Sequence, residues 1–495
     1  MSHLIKIFLL TFIYSSFPLY SLPTSLDPDG GLRLAGERWF PLGLYEVPEN
    51  ATQFQRIENA GFDLVRANLD KRNLDQIAGH GLQAWIPIGG LAEVSDEAAA
   101  GRLREAMAPL KDHPALALWE LPDEALWNCM ELRWAASNKE RAEIRDKVND
   151  HIRSGSPEAE TLKDLYREMV RAHRHWDFPG MEAAIRKLWD ALGEPEREVA
   201  TNLSGRTDCE EKLFPNLLAG YRLLRKEDPA HLVWQNHAPR NSAEMLQKHS
   251  AYCDVWGCDI YPAPDYPAGG HSDLSARSLA AVGDYTERFK DLAPSKSTLM
   301  VLQGFGWKNL GAVGEDDLDK PRQREPKYLE SRFMAYDAIA RGADGLAYWG
   351  TAYDPEDKAW ESLVPVIQEL AALQIFLAAP AVPLPLEVDA LPSWTSRDRE
   401  VAWTARRVGE DWLFIFANEE DQPQKIHVAF PPEFAGTRLY LLYEDLYVEP
   451  VEGGLVELDF VGYGVRLLST RRDLEVHDLR KLDREMEDPF PGSSN

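Results

Sequence analysis

Four stretches near the N-terminus decide the fold: WFPLGLYEV at 39–47, FDLVRAN at 62–68, QAWIPI at 83–88 and ALALWEL at 115–121. Each is short and apolar, and polar, helix-forming text separates them. The spacing predicts a strand over 39–47, then a helix over 52–60 closed by Gly61, and a second strand over 62–67. A helix over 70–78 closed by Gly79 and a third strand over 83–88 follow. Gly89 and Gly90 end that strand. A helix over 96–110, with Ser95 as its N-cap, leads to the fourth strand at 115–121. Buried strands that alternate with helical crossovers make a parallel sheet.

The rhythm stops at about residue 130 and resumes near 212. The intervening text is charged and helix-forming, broken by Ser-Gly-Ser-Pro at 154–157, and is expected to be a helical insertion after the fourth strand. A helix over 212–226 follows. Further strands are expected at 232–236, 255–261, 298–303 and 345–349, with helices over 325–341 and 361–377. Eight strand–helix repeats of this length predict an α/β fold, a (β/α)₈ TIM barrel. After 378 the chain passes through Pro380, Pro383 and Pro385 into alternating strands at 401–407, 412–418, 425–430, 437–442, 455–460 and 464–469, the pattern of a C-terminal antiparallel β-sandwich. The expected organisation is a signal peptide over 1–21, a barrel over 22–378, a β-sandwich over 379–470 and a polar tail over 471–495.

The chain has 495 residues, and 54 Lys and Arg stand against 81 Asp and Glu, a net charge of -27. Such a surface repels phosphate backbones and anionic lipid, which disfavours nucleic-acid and membrane partners. The apolar run from Leu4 to Tyr14 has the length of a signal-peptide core and is too short to span a bilayer, so a secreted or periplasmic location is expected. Four cysteines suit an exported chain, and Cys129 with Cys209 is the favoured pair. Their spacing matches no zinc pattern, and no cofactor or resident metal is expected. The 15 tryptophans suit either core packing or flat platforms for sugar rings.

In a barrel of this kind, chemistry sits at the C-terminal ends of the strands. Those ends carry Glu46, Arg66, Trp119, Asp123, Glu124, Asn236, Asp259, Tyr261, Gln303, Trp307 and Trp349. Carboxylates and amides hydrogen-bond hydroxyls, and aromatic faces stack on sugar rings, so a carbohydrate substrate is expected. Hydrolysis of a glycosidic bond needs a carboxylic acid and a second carboxylate. His237 and Glu330 have bland readings, a strand-end histidine and a solvated ion pair with Arg332.

Residues 37–378 resemble the clan A glycoside hydrolases, and the C-terminal sandwich resembles their common accessory domain. The likeness rests on Arg66 in Val-Arg-Ala-Asn, Asp123-Glu124 in Trp-Glu-Leu-Pro-Asp-Glu, Tyr261 in Cys-Asp-Ile-Tyr-Pro, and Trp349. It implies that Glu124 is the acid/base. The family's nucleophile is a Glu ending the seventh strand, where this chain has Gln303. An amide cannot form the usual glycosyl-enzyme intermediate. Asp259 is then the expected second carboxylate, with Glu46 and Glu330 as other candidates and assistance by the substrate as a further route. The rival expectation is a glycan-binding protein that does not cleave. A third is a metal-dependent hydrolase built on Asp123, Glu124 and Asp259.

Overall fold

The computed structural model describes residues 21–174, 177–194, 207–239, 241–263, 278–310, 324–353, 356–390, 401–444 and 446–476. The expected signal segment and most of the polar tail lie outside them. The described chain opens with a small antiparallel meander, β1 (Thr24–Leu26), β2 (Leu32–Leu34) and β3 (Glu37–Trp39). Thr24 Oγ1 donates to Ala117 O (2.9 Å) and accepts from Leu232 N (2.9 Å). Leu32 and Trp39 pack into the apolar cluster that fills the barrel. The meander therefore caps the N-terminal mouth, and Trp39 belongs to it rather than to the first barrel strand.

Eight parallel strands close the barrel: β4 (Leu42–Leu44), β5 (Leu64–Arg66), β6 (Gln83–Pro87), β7 (Leu116–Glu120), β8 (Leu232–His237), β9 (Val255–Ile260), β10 (Ser297–Gln303) and β11 (Gly345–Trp349). Strand pairing runs in chain order, and β10–β11 and β11–β4 complete the ring. Leu64, Trp85, Leu118, Trp234, Leu299 and Val301 fill the interior, so the barrel is packed and carries no pore. Gly257 is required: a Cβ there would fall 1.9 Å from the Leu299 carbonyl oxygen.

The helices start where short polar side chains cap them. Asn50 accepts from Thr52 and Gln53 N–H at α1 (Ala51–Ala60), and Gly61 ends that helix at φ 97°. Asp70 caps α2 (Lys71–Gly79), which continues through Gly79 to His80. Asp96 rather than Ser95 caps α3 (Glu97–Met107), because its carboxylate accepts from Ala99 N–H.

The insertion begins earlier than expected. Its first helix, α4 (Ala125–Ser154), starts directly after Glu124, and α5 (Ala159–Arg174) and α6 (Phe178–Ala191) follow. Gly155 in the Ser-Gly-Ser-Pro break ends α4 at φ 66°. Ile144, Leu162, Met181, Ile185 and Trp189 give these helices a core of their own. The Cys129–Cys209 disulfide ties α4 to α7 (Thr207–Glu227), whereas Cys253 and Cys258 are buried and outside any disulfide.

The helices α8 (Ala243–His249), α9 (Ala281–Leu292), α10 (Tyr328–Ala340), α11 (Lys358–Ala372) and α12 (Gln374–Leu377) complete the outer layer, the last two replacing one expected helix. The C-terminal strands are β12 (Glu387–Ala390), β13 (Val401–Val408), β14 (Asp411–Asn418), β15 (Gln424–Ala429), β16 (Leu439–Leu441), β17 (Leu446–Val448), β18 (Val456–Phe460) and β19 (Val465–Ser469). They form two antiparallel sheets, β12-β15-β18 and β13-β14-β19-β16-β17, around Phe414, Phe416, Ile426 and Leu458. Buried charge joins this unit to the barrel. Arg341 grips Glu419 through two bonds of 2.8 Å, and Arg332 pairs with Glu369 at 2.8 Å while donating to Val465 O.

Candidate active site

Strand alternation sorts the end of β7. Trp119 turns outward, is fully buried among the helices, and donates from Nε1 to Asp228 Oδ2 at 2.7 Å. The expected rim position for Trp119 is therefore corrected: it is a core residue. Glu120 turns inward and is also fully buried. It accepts from the Tyr45 hydroxyl (3.1 Å) and Trp85 Nε1 (3.1 Å), and Arg66 Nε stands 4.0 Å away. Burial pushes its carboxyl up to about 8, the charge of Asp123 adds to this, and Arg66 opposes it. Glu120 is the residue the sequence expectations miss. Its signal is parity: an outward Trp119 makes the next residue face the barrel axis.

Beyond β7 the chain turns sharply. Glu124 sits at φ 47°, ψ 34°, a left-handed conformation uncommon for a residue with a side chain. Its N–H donates to Asn236 O at 3.1 Å, which ties the turn to the end of β8. The Glu124 carboxyl is hydrogen-bonded to that of Asp259. Burial first, and then the charge of Asp123, push Asp259 up to about 6, against hydrogen bonds from Glu124, its own backbone and Asn236. Asn236, 3% exposed, donates from Nδ2 to Asp123 Oδ1 (2.9 Å) and Asp259 Oδ1 (3.4 Å). Asp123 keeps an exposed flank, yet enough protein surrounds it to raise its carboxyl; Asn236, Arg66 and the Glu124 N–H oppose the rise. Asp123, Glu124, Asn236 and Asp259 thus converge from three strand ends.

An aromatic wall stands beside them. Tyr261 stacks on Trp349 with ring centroids 5.6 Å apart, Phe305 meets both edge-on, and Trp307 packs against Phe305. Burial, followed by the charges of Asp259, Asp123 and Glu124, raises the Tyr261 hydroxyl well above its ordinary value. Tyr353 continues the wall outward, 5.3 Å from Trp349.

Gln303 occupies a different position in this chemistry. It is 1% exposed, and its amide is engaged by backbone. Oε1 accepts from Ala263 N (2.9 Å), while Nε2 donates to Ala263 O (2.6 Å) and Phe305 O (3.0 Å). It holds the segment after β9 to the segment after β10, which corrects its expected place among substrate-contacting groups. A carboxylate cannot donate to those two carbonyls. Glu46 is set apart from the cluster: its carboxyl accepts from the Ala352 backbone, burial raises it, and Arg56 opposes the rise. His237 is fully buried between Trp256 and Phe289, and burial pushes it down to about 3, so it is a neutral core residue. Glu330 pairs with Arg324 (2.7 Å) rather than Arg332 and accepts from Lys327 N at the start of α10. Among the described residues, no group of three or more His, Cys, Asp or Glu is arranged to hold a metal ion. None of their helices is long and apolar enough to cross a membrane.

The closed parallel barrel followed by antiparallel sheets defines the class, a (β/α)₈ barrel with a β-rich C-terminal unit. Particular solved structures similar to it in fold include glycoside hydrolases. One is a glycoside hydrolase of family 5 from Bacteroides vulgatus, with 13% identity and a TM-score of 0.52 over 93% of this chain and 98% of that one. Another, described as a glycoside hydrolase, has 13% identity and a TM-score of 0.50 over 90% and 96%. A family 42 β-galactosidase from G. stearothermophilus has 9% identity and a TM-score of 0.47 over 88% and 98%. At these identities the likeness is one of fold. No family model matches the sequence, and no curated protein matches it.

Proposed function

We propose that the C-terminal mouth of the barrel binds a β-linked carbohydrate and that the chain is an exported glycoside hydrolase with Glu124 as general acid. The observation that carries this reading is the hydrogen-bonded carboxyl pair of Glu124 and Asp259 beside the Tyr261–Trp349 wall. An Asp259 carboxyl raised to about 6 beside Glu124 suits proton donation to a leaving oxygen. The direct bond revises the role of Asp259. Carboxylates that flank a scissile bond stand about 5–10 Å apart, so Asp259 positions the proton of Glu124 instead of acting across the ring. Gln303 provides no nucleophile. Water then attacks with inversion, and Asp123 is the remaining carboxylate of the cluster to activate it. The disulfide between Cys129 and Cys209 supports export into an oxidising compartment.

The test is Glu124→Gln assayed on aryl glycosides and β-linked oligosaccharides, with product anomers followed by NMR. The expected result is a loss of about 10²–10⁴-fold in kcat with inverted product in the wild type. Full turnover by the variant would remove Glu124 from the role. A second reading is binding without cleavage. It is favoured by the backbone engagement of Gln303 and by the crowding of Asp123 and Asp259 on one amide nitrogen. Saturable glycan binding with no turnover on any substrate would select it.

A further inference from the structure

We propose that Tyr353 is an outer sugar platform of this mouth, so that the ligand is a chain of β-linked units with one ring against Trp349 and the next against Tyr353. The inference rests on the carbohydrate reading above and names the length of substrate that the same site selects.

The aromatic wall passes from core to surface along its length. Phe305 is fully buried, Tyr261 is 9% exposed, Trp349 is half-buried and Tyr353 is 53% exposed. Neighbouring rings stay in contact, 5.1 Å from Phe305 to Trp349 and 5.3 Å from Trp349 to Tyr353. The wall therefore leads outward, and its last step is one that neighbouring units of a β-linked chain can follow. A lone exposed aromatic is ordinary on a protein surface. Tyr447 on the sandwich is such a case, and the Arg438 guanidinium covers its ring at 4.3 Å. Tyr353 differs. Among the described residues its ring meets no other ring than that of Trp349, no cation covers it, and its hydroxyl makes no hydrogen bond.

The turn that carries this ring is fixed. Thr351–Tyr353 forms one 3₁₀ turn, and Tyr353 N–H donates to Gly350 O at 3.0 Å. The Glu46 carboxyl, from the end of β4, accepts from the Ala352 backbone. Thr351 is buried, and Gly304 N–H donates to Trp349 O at 2.8 Å. Gly350 sits at φ 98°, and a Cβ there would fall 2.5 Å from the Phe305 ring. A pinned backbone that holds an aromatic face out to solvent loses little freedom when a sugar ring docks on it. Glu46, set apart from the carboxyl cluster, thereby becomes a positioning residue for the platform.

Titration calorimetry on the full chain tests this with β-linked gluco-, galacto-, manno- and xylo-tetrasaccharides. The methyl β-glycoside of each sugar is measured by displacement of its tetrasaccharide. The expected result is that a tetrasaccharide binds at least about tenfold tighter than its methyl glycoside. Tyr353→Ala should cut that ratio at least about fivefold while keeping the thermal unfolding transition. Tyr353→Phe, which keeps the ring, should retain it. Equal affinity of the long and short ligands would overturn the inference and leave the carbohydrate reading intact. So would a ratio that persists in a folded Tyr353→Ala, including one in which both affinities fall together because the whole wall has loosened. Loss of the ratio in Tyr353→Phe would place recognition on the hydroxyl and overturn the platform. Failure of every tetrasaccharide to bind would overturn the carbohydrate reading itself and the inference with it.

Discussion

Two strand ends in the same barrel hold buried polar side chains of nearly the same shape and treat them in opposite ways. At the end of β10, every polar atom of Gln303 is engaged by backbone of neighbouring segments. At the end of β7, Glu120 accepts from only two neutral side chains, stands 4.0 Å from its nearest cation, and leads into a cluster of further carboxyls. Complete satisfaction is what a structural residue shows. A buried acid group kept near neutrality by its surroundings is what chemistry shows. The difference marks the seventh-strand end as a fastening and supports the proposed reading of the fourth-strand end as a site.

The comparison breaks first at Gln303. Gln303→Glu sets a carboxyl against the carbonyl oxygens of Ala263 and Phe305. An ionised group there is unpaired and buried, and a protonated one leaves an acceptor facing an acceptor. The expected outcome is a loss of about 2–5 kcal/mol in urea unfolding, with no retaining hydrolysis gained. A stable variant that forms a glycosyl-enzyme adduct would show that the seventh-strand end is a site after all.

A smaller effect sharpens the other side. The folded chain holds the Glu120 proton up to about pH 8, while an unfolded Glu releases it near pH 4.3. Stability from this group is therefore complete below about pH 4 and is lost as pH rises toward about 8. Across that window its contribution falls by about 1.4 kcal/mol per pH unit. Glu120→Gln removes this slope. Urea unfolding at pH 5, 6 and 7 should show the variant gaining on the wild type at each step. Parallel stability curves would mean that Glu120 is ionised in the fold and that its contrast with Gln303 is overstated.

The repeat of strands and helices is legible in the sequence because buried parallel strands read as apolar runs between turn residues. The strand Gly345–Trp349 matches its expected bounds. The strands that escape expectation are short: the N-terminal meander, β12 and β17 span three or four residues each, too few to show a period. The site divides by range. That Asp123, Glu124, Asn236, Asp259 and Tyr261 end strands is a local fact. That Glu124 bonds to Asp259, or that Gln303 fastens to Ala263 forty residues away, depends on which strand ends meet in the closed ring.

Trp119 and Glu120 show the limit most closely, because adjacent residues exchange roles on a single step of parity. A tryptophan beside a catalytic-looking Glu-Leu-Pro-Asp-Glu invites a binding role. Its indole instead lies on the far side of the strand, donating to Asp228 Oδ2, which also contacts His231 Nδ1 at 2.7 Å. Trp119→Phe keeps the apolar ring and deletes one buried hydrogen bond, so a loss of about 1 kcal/mol is expected. Oligosaccharide affinity, measured by the same calorimetry, should be unchanged. A variant of wild-type stability with weakened glycan binding would return Trp119 to the rim and reverse the parity on which Glu120 was assigned to the barrel interior.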